Sequence, residues 1–237
     1  MIGGRLMREI KIPQSESKLR LLDAAEPLFA EGGFEVVSVR DITQRAKANV
    51  AAIHYHFGSR DDLIALVVTR YLAPIHEERL ARLEVLERKW PGKAVPVEEL
   101  LDAWVRPFVG MARKSAMAEP LVCKLLGRIF AMHGVVMPAA VELQARQVHE
   151  RFTRALGKSL PSVTPEDLGW RMHLMAGAMI HMLMHQDPLQ RVPGGVTGLP
   201  TLEAALSRFI RFAAAGLREG VEMEPAAKKG PQATFDF

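Results

Sequence analysis

The stretch SVRDITQRAKANVAAIHYHFGSRDDL, residues 38–63, decides the fold. Its apolar positions are Val39, Ile42, Ala46, Val50, Ile53 and Phe57. Ile42 and Ala46 stand four apart, so they share a face of one short helix. Val50, Ile53 and Phe57 follow the same helical spacing on the next. Ser38 and Asp41 have the spacing of a capping box, with Asp in place of the usual Glu. Asn49 is placed to cap the second short helix, and Ser59, followed by Asp61 and Asp62, opens another. Two short helices joined by a three-residue turn, each with one buried face, predict a helix-turn-helix.

The face left outside on the second of these helices carries Ala51, His54 and Tyr55, with His56 nearby. Small residues let a backbone approach closely, while donors and aromatic edges reach bases and phosphates. The charge agrees. Residues 36–60 hold Arg40, Arg45, Lys47 and Arg60 against Asp41 alone. The whole chain of 237 residues has a formal charge of only +4, which permits a nucleic-acid partner without demanding one.

Upstream, residues 17–31 read as a helix with Leu22, Ala25 and Phe29 on one face, stopped by Gly32-Gly33. Pro27 should kink it. Downstream, helices are expected at 59–72, ahead of Pro74, and at 75–89, 97–114, 118–133, 138–158, 165–186 and 201–219. Thr164-Pro165-Glu166-Asp167 is a helix start with cap, proline and acid in order. Period-2 alternation is almost absent, so the fold class is all-α. The expected organisation is a flexible arm over 1–16, a helix-turn-helix unit over 17–62, a helical unit over 63–220 and a disordered tail over 221–237.

Taken together, residues 38–63 and the segment Leu22-Asp23-Ala24-Ala25 through Leu28-Phe29-Ala30-Glu31-Gly32-Gly33-Phe34 resemble the DNA-binding domain of the TetR family of repressors. The resemblance covers residues 17–70 closely. It implies that Ser38 and Arg40 touch phosphate or a base, and that Asn49 caps the recognition helix beside the DNA backbone. It further implies that Ala51 and His54 face base edges, and that Tyr55, His56 and Arg60 clamp phosphates. Two departures stand out. Lys47 occupies a turn position where the family usually has Gly, and His54 stands where it often has Tyr or Asn. Segments 48–60, 125–134 and 170–185 are similar to a narrower group, the fatty-acid-responsive PsrA-type regulators.

The second unit suits an apolar effector such as a fatty acid or acyl-CoA. Apolar residues make up 49% of the chain, and methionines adapt to irregular ligands. The candidate pocket comprises Phe108, Met111, Met117, Leu121, Leu125, Arg128, Phe130, Phe152, Trp170, His173 and Met175, with Arg128, Arg171 and His173 as candidate anchors for a polar end. A homodimer is expected, because two recognition helices must reach successive major grooves about 34–36 Å apart or a multiple of this. Small and apolar residues of the last two helices are the candidate interface: Leu174, Gly177, Ala178, Met182, Leu206, Ile210, Ala213 and Leu217.

Other function classes find less. His181 and His185, four apart, have metal-ligand spacing, which keeps a metal-responsive regulator open. A DNA-binding protein with no effector is a further alternative. No Gly-rich phosphate loop, GxSxG or HExxH is present, so neither catalysis nor a cofactor is expected. The single cysteine, Cys123, excludes an intrachain disulfide and suits a reducing compartment. No membrane-spanning run or signal peptide is visible, so a cytoplasmic location is expected.

Overall fold

The computed structural model describes residues 16–132, 137–185 and 200–219. Among them the chain is helical throughout, with no strand. The helices are α1 (Glu16–Gly32), α2 (Val39–Arg45), α3 (Val50–Phe57), α4 (Arg60–Lys89), α5 (Val97–Lys114), α6 (Glu119–Ala131), α7 (Ala139–Ser159), α8 (Pro165–Met184) and α9 (Leu202–Arg218). The expected arm, apart from Glu16, the tail and most of the 187–200 loop lie outside the described residues.

The helix starts follow from local chemistry. The Ser38 hydroxyl and Asp41 carboxylate form the reciprocal capping box at α2. Asn49 caps α3 by accepting from Ala51 N at 3.0 Å, and Ser59 caps α4 by accepting from Asp62 N at 3.0 Å. Thr164 accepts from Asp167 N at 3.2 Å ahead of Pro165 at the first position of α8.

One expectation fails. The sequence places a helix end before Pro74, whereas α4 runs unbroken through it for 30 residues. Proline removes one backbone donor, but Pro74 is exposed on the outside of the helix, where its ring displaces no core packing, and α4 continues past it. The expected domain boundary at residue 62 therefore falls inside α4.

The core runs continuously from Leu21, Phe29, Ile42 and Ile53 in the first helices to Phe108, Leu125, Phe152 and Leu206 in the later ones. α4 packs on α3 near one end and on α5 and α7 further along. α6 lies between α1 and α8. Its approach to α8 is close enough that a Cβ on Gly127 would sit 2.4 Å from Met184 Cγ.

Candidate DNA interface and bundle core

α1, α2 and α3 fold around Phe29, Ile42 and Ile53, each fully buried. With Ile53 inward, α3 turns Ala51, His54 and Tyr55 outward, as the spacing predicts. Tyr55 is 85% exposed, a large aromatic with only the His56 ring against it. His54 Nδ1 lies 3.0 Å from Gly58 O, which fixes the ring along the helix. Arg40, on α2, and Lys47, in the turn after it, are both exposed. Lys47 has φ +50, the one positive-φ non-glycine among the described residues. The turn thus keeps the left-handed conformation that glycine favours, with a lysine forced into it.

One assignment in this region needs correction. Val50, whose spacing places it with the core, is 40% exposed, because it is the first residue of α3 and Ile53, one turn on, is the residue that enters the core. His56 is half-buried and its Nε2 sits 2.6 Å from Ser17 Oγ, a contact that ties α1 to α3. Arg60 folds back on the 34–37 loop, with Nε donating to Val37 O at 3.0 Å and Nη2 donating to Phe34 O. Its fork is used to hold the loop. Ser38 is exposed, but its hydroxyl is engaged with Asp41. The Ser38 hydrogen bonds, side chain first and backbone second, hold the Asp41 carboxyl below its ordinary range.

The second unit brings Phe108, Leu125 and Phe152 into the core, with Phe130 edge-on to Phe108 at 5.7 Å between centroids. Met175 is also buried, and Met111, Met117 and Leu121 are half-buried against this core. Two of the candidate anchors, Arg128 and Arg171, are engaged with backbone carbonyls of other helices. Arg128 reaches out of the bundle to donate to Ala30 O at 2.9 Å and Glu31 O at 2.7 Å, the C-terminal end of α1. Arg171 donates to Leu217 O at 2.6 Å and to Asp167. Trp170, 59% exposed, and His173 lie on the outer face of α8. A long apolar helix such as α8 offers its methionines to the core at the intervening positions, Met172, Met175 and Met179.

What the sequence reading missed is Arg79, 2% exposed, with His76 at 4%. Arg79 Nε donates to Trp104 O at 2.7 Å, and its guanidinium lies 5.1 Å from the Trp104 ring, 5.0 Å from Phe108 and 5.8 Å from Phe130. Arg79 Nη2 and both ring nitrogens of His76 have no hydrogen-bond partner. Burial, then the neighbouring Arg79 charge, pushes His76 down to about 4, and burial pushes Arg79 down to about 9. The signal was present. Leu72, Ile75, His76, Arg79 and Leu83 share the buried stripe of α4.

The candidate interface residues divide. Leu174 is 67% exposed and Gly177 is exposed on α8, while Leu206, Ile210, Ala213 and Leu217 are buried inside the chain. The most apolar face of α9 covers α5 and α8 of its own chain. Its outer face presents Phe212, 69% exposed. Ala178 and Met182 are half-buried. His181 and His185 stack at 4.8 Å, but no group of three or more His, Cys, Asp or Glu side chains among the described residues is placed to hold a metal. No described helix is long and apolar enough to cross a membrane.

Residues 21–67 match the family model for bacterial regulatory proteins of the tetR family, and residues 102–216 match the tetracyclin repressor-like C-terminal domain. The HTH-type transcriptional repressor Rv3405c of Mycobacterium tuberculosis is 34% identical over 152 residues, covering 52% of this chain and 78% of that protein. The chain belongs to the TetR family of transcriptional regulators. The repressor KstR of Rhodococcus jostii is 23% identical over 149 residues, covering 63% of this chain and 64% of KstR. Among solved structures, AmtR of Mycobacterium smegmatis superposes with a TM-score of 0.56 at 14% identity, covering 91% and 92% of the two chains. The fatty acid degradation regulator FadR of Bacillus halodurans gives 0.52 at 15% identity, covering 87% and 99%. These structures share the fold. The chain is thus a DNA-binding regulator rather than an enzyme.

Proposed function

We propose that this regulator is a homodimeric repressor that holds operator DNA through α3 and lets go when an apolar effector, a fatty acid or acyl-CoA, enters the helical unit. One observation carries the reading. α4 packs against the recognition helix near its start and continues without a break to the buried, unsatisfied pair His76 and Arg79. A ligand that resettles those side chains acts on the same rigid rod that positions α3. The unit over 17–62 then reads DNA, the unit over 63–220 binds effector and dimerises, and α4 belongs to both.

In the same reading, Arg40, Lys47, Val50, Ala51, His54 and Tyr55 form the DNA surface, with Asn49 capping α3. Trp170, Leu174 and Phe212 form the centre of the dimer contact, because they are large apolar side chains left outside on α8 and α9. FadR, which shares the fold, is a fatty acid degradation regulator, and the methionines of α8 supply an adaptable apolar wall.

Operator fragments selected from random duplexes by the purified protein, followed by fluorescence anisotropy with added long-chain fatty acids and acyl-CoAs, test the proposal. It expects sequence-specific binding that weakens with effector. Binding that ignores sequence, or an operator complex indifferent to every chain length, defeats it.

A further inference from the structure

Arg79 is a cation in a place where cations are expensive. It lies within the bundle against three aromatic rings, and no carboxylate among the described residues pairs with it. Aromatic faces offset part of a buried cation's lost hydration, but they do not supply a counter-charge. One edge of its fork is held in place by the Trp104 carbonyl, which fixes the direction of the rest. Of its two terminal nitrogens, Nη2 is buried with no acceptor. One turn earlier on the same stripe of α4, His76 is buried with both ring nitrogens unmatched. Two neighbouring donors with no acceptor, one of them charged and aimed by a fixed hydrogen bond, describe half of a recognition site.

We propose that Arg79 and His76 are the anchor for the free carboxylate of an organic-acid effector, whose apolar body lies against Trp104, Phe108 and Phe130. The assignment rests on the effector-release reading above and narrows its ligand to a carboxylate. Arg79 takes one carboxylate oxygen through Nη2, and the neutral imidazole of His76 donates to the other. A carboxylate supplies the missing charge and acceptors together. A thioester presents only a neutral carbonyl at its buried end and leaves the guanidinium uncompensated. An inorganic anion would satisfy the fork but leave its own far side dry against aromatic carbon.

Trp104 is a built-in reporter, since its ring stands 5.1 Å from the Arg79 guanidinium. The experiment titrates the full-length protein, without DNA, with decanoate, 4-phenylbutanoate, methyl decanoate and decanoyl-CoA, and reads tryptophan fluorescence. The same four compounds are added to an operator complex in parallel. The expected result is saturable binding of at least one free acid, about tenfold or more weaker for methyl decanoate and for R79M. R79M removes a buried unpaired charge at similar length, so its thermal midpoint should hold or rise, which separates lost binding from lost folding. A second variant, H76L, should weaken the acid by a smaller factor.

The anchor is overturned if methyl decanoate or decanoyl-CoA binds as tightly as decanoate, if R79M keeps the acid affinity, or if neither acid binds up to about 1 mM. Arg79-dependent acid binding that leaves operator affinity unchanged upholds the anchor and defeats effector release. Operator release by decanoyl-CoA that R79M does not alter does the reverse.

Discussion

Arg128 donates to the carbonyl of Glu31 at 2.7 Å across 97 positions of sequence, and to Ala30 at 2.9 Å beside it. These carbonyls end α1 and lack helical partners of their own. The guanidinium thus acts as a C-terminal cap supplied by α6, where a cation is favoured by the helix dipole. Gly33 follows with φ +90, and a Cβ there would lie 2.7 Å from Arg128 Nη1. The turn and the clamp both need the glycine. Together they join α1 of the helix-turn-helix unit to α6 of the second unit.

R128M should therefore cost about 1–2 kcal/mol of stability and loosen α1. Urea unfolding and amide exchange over residues 29–33 measure both. In the proposed mechanism, the effector should also weaken operator binding less in R128M than in the parent. If stability, exchange and coupling all stay at parent values, the clamp carries no load.

The turn between α2 and α3 makes the second prediction. Lys47 holds φ +50, a conformation that costs a side-chain-bearing residue about 1–2 kcal/mol and glycine nothing. Glycine gives part of this back through the freedom it gains in the unfolded chain. K47G should raise stability by about 0.5 kcal/mol. If Lys47 also meets a phosphate, the salt dependence of operator binding should fall by about one unit of slope. A less stable K47G would mean that the lysine side chain makes a contact worth more than its strain.

The recognition helix should separate positioning from reading. Y55A removes an exposed ring with little role inside the chain, so folding should be unaffected while all operators bind more weakly, by about 1 kcal/mol. H54A should cost about 1–3 kcal/mol on the preferred operator and relax the preference at one base pair. Competition between single-base variants of the operator distinguishes the two. Equal losses across all sequences for H54A would move His54 from base edges to the backbone.

The helix-turn-helix was legible because every signal there is local. Ser38, Asn49 and Ser59 each bond within three residues, and Ile42 and Ile53 stand on a regular stripe. The outward placement of Ala51, His54 and Tyr55 follows from Ile53 pointing in. What sequence did not yield depends on distant partners. Arg60, Arg128 and Arg171 look alike as cations near apolar residues, yet each is taken up by backbone carbonyls from another element. The apolar stripe of α9 was read as a dimer contact because spacing shows that a face is buried, not which surface buries it. Arg79 is not legible in the sequence, since a charged residue on a core stripe reads as an interruption until the rings around it are in place.

His76 gives the last prediction. Its folded-state pKa, about 4, lies below the ordinary 6.5 because burial and then the Arg79 charge disfavour the imidazolium. The folded chain therefore binds fewer protons than the unfolded chain between these values. Stability from this residue is complete above pH 6.5 and is lost as pH falls toward 4, by about 3 kcal/mol at most. Glu26 works in the opposite sense. Burial raises its carboxyl above the ordinary range, against the pull of Arg70, 3.0 Å away, and of the Tyr71 hydroxyl, so acid favours its folded form. Comparison with H76L isolates the histidine, because Glu26 is common to both proteins. Denaturant unfolding at intervals from pH 7.5 to 4.5 should show the parent weakening relative to H76L through that window. A constant difference between the two curves would mean that His76 meets water or an acceptor when protonated, and that the interior around Arg79 is wetter than its burial implies.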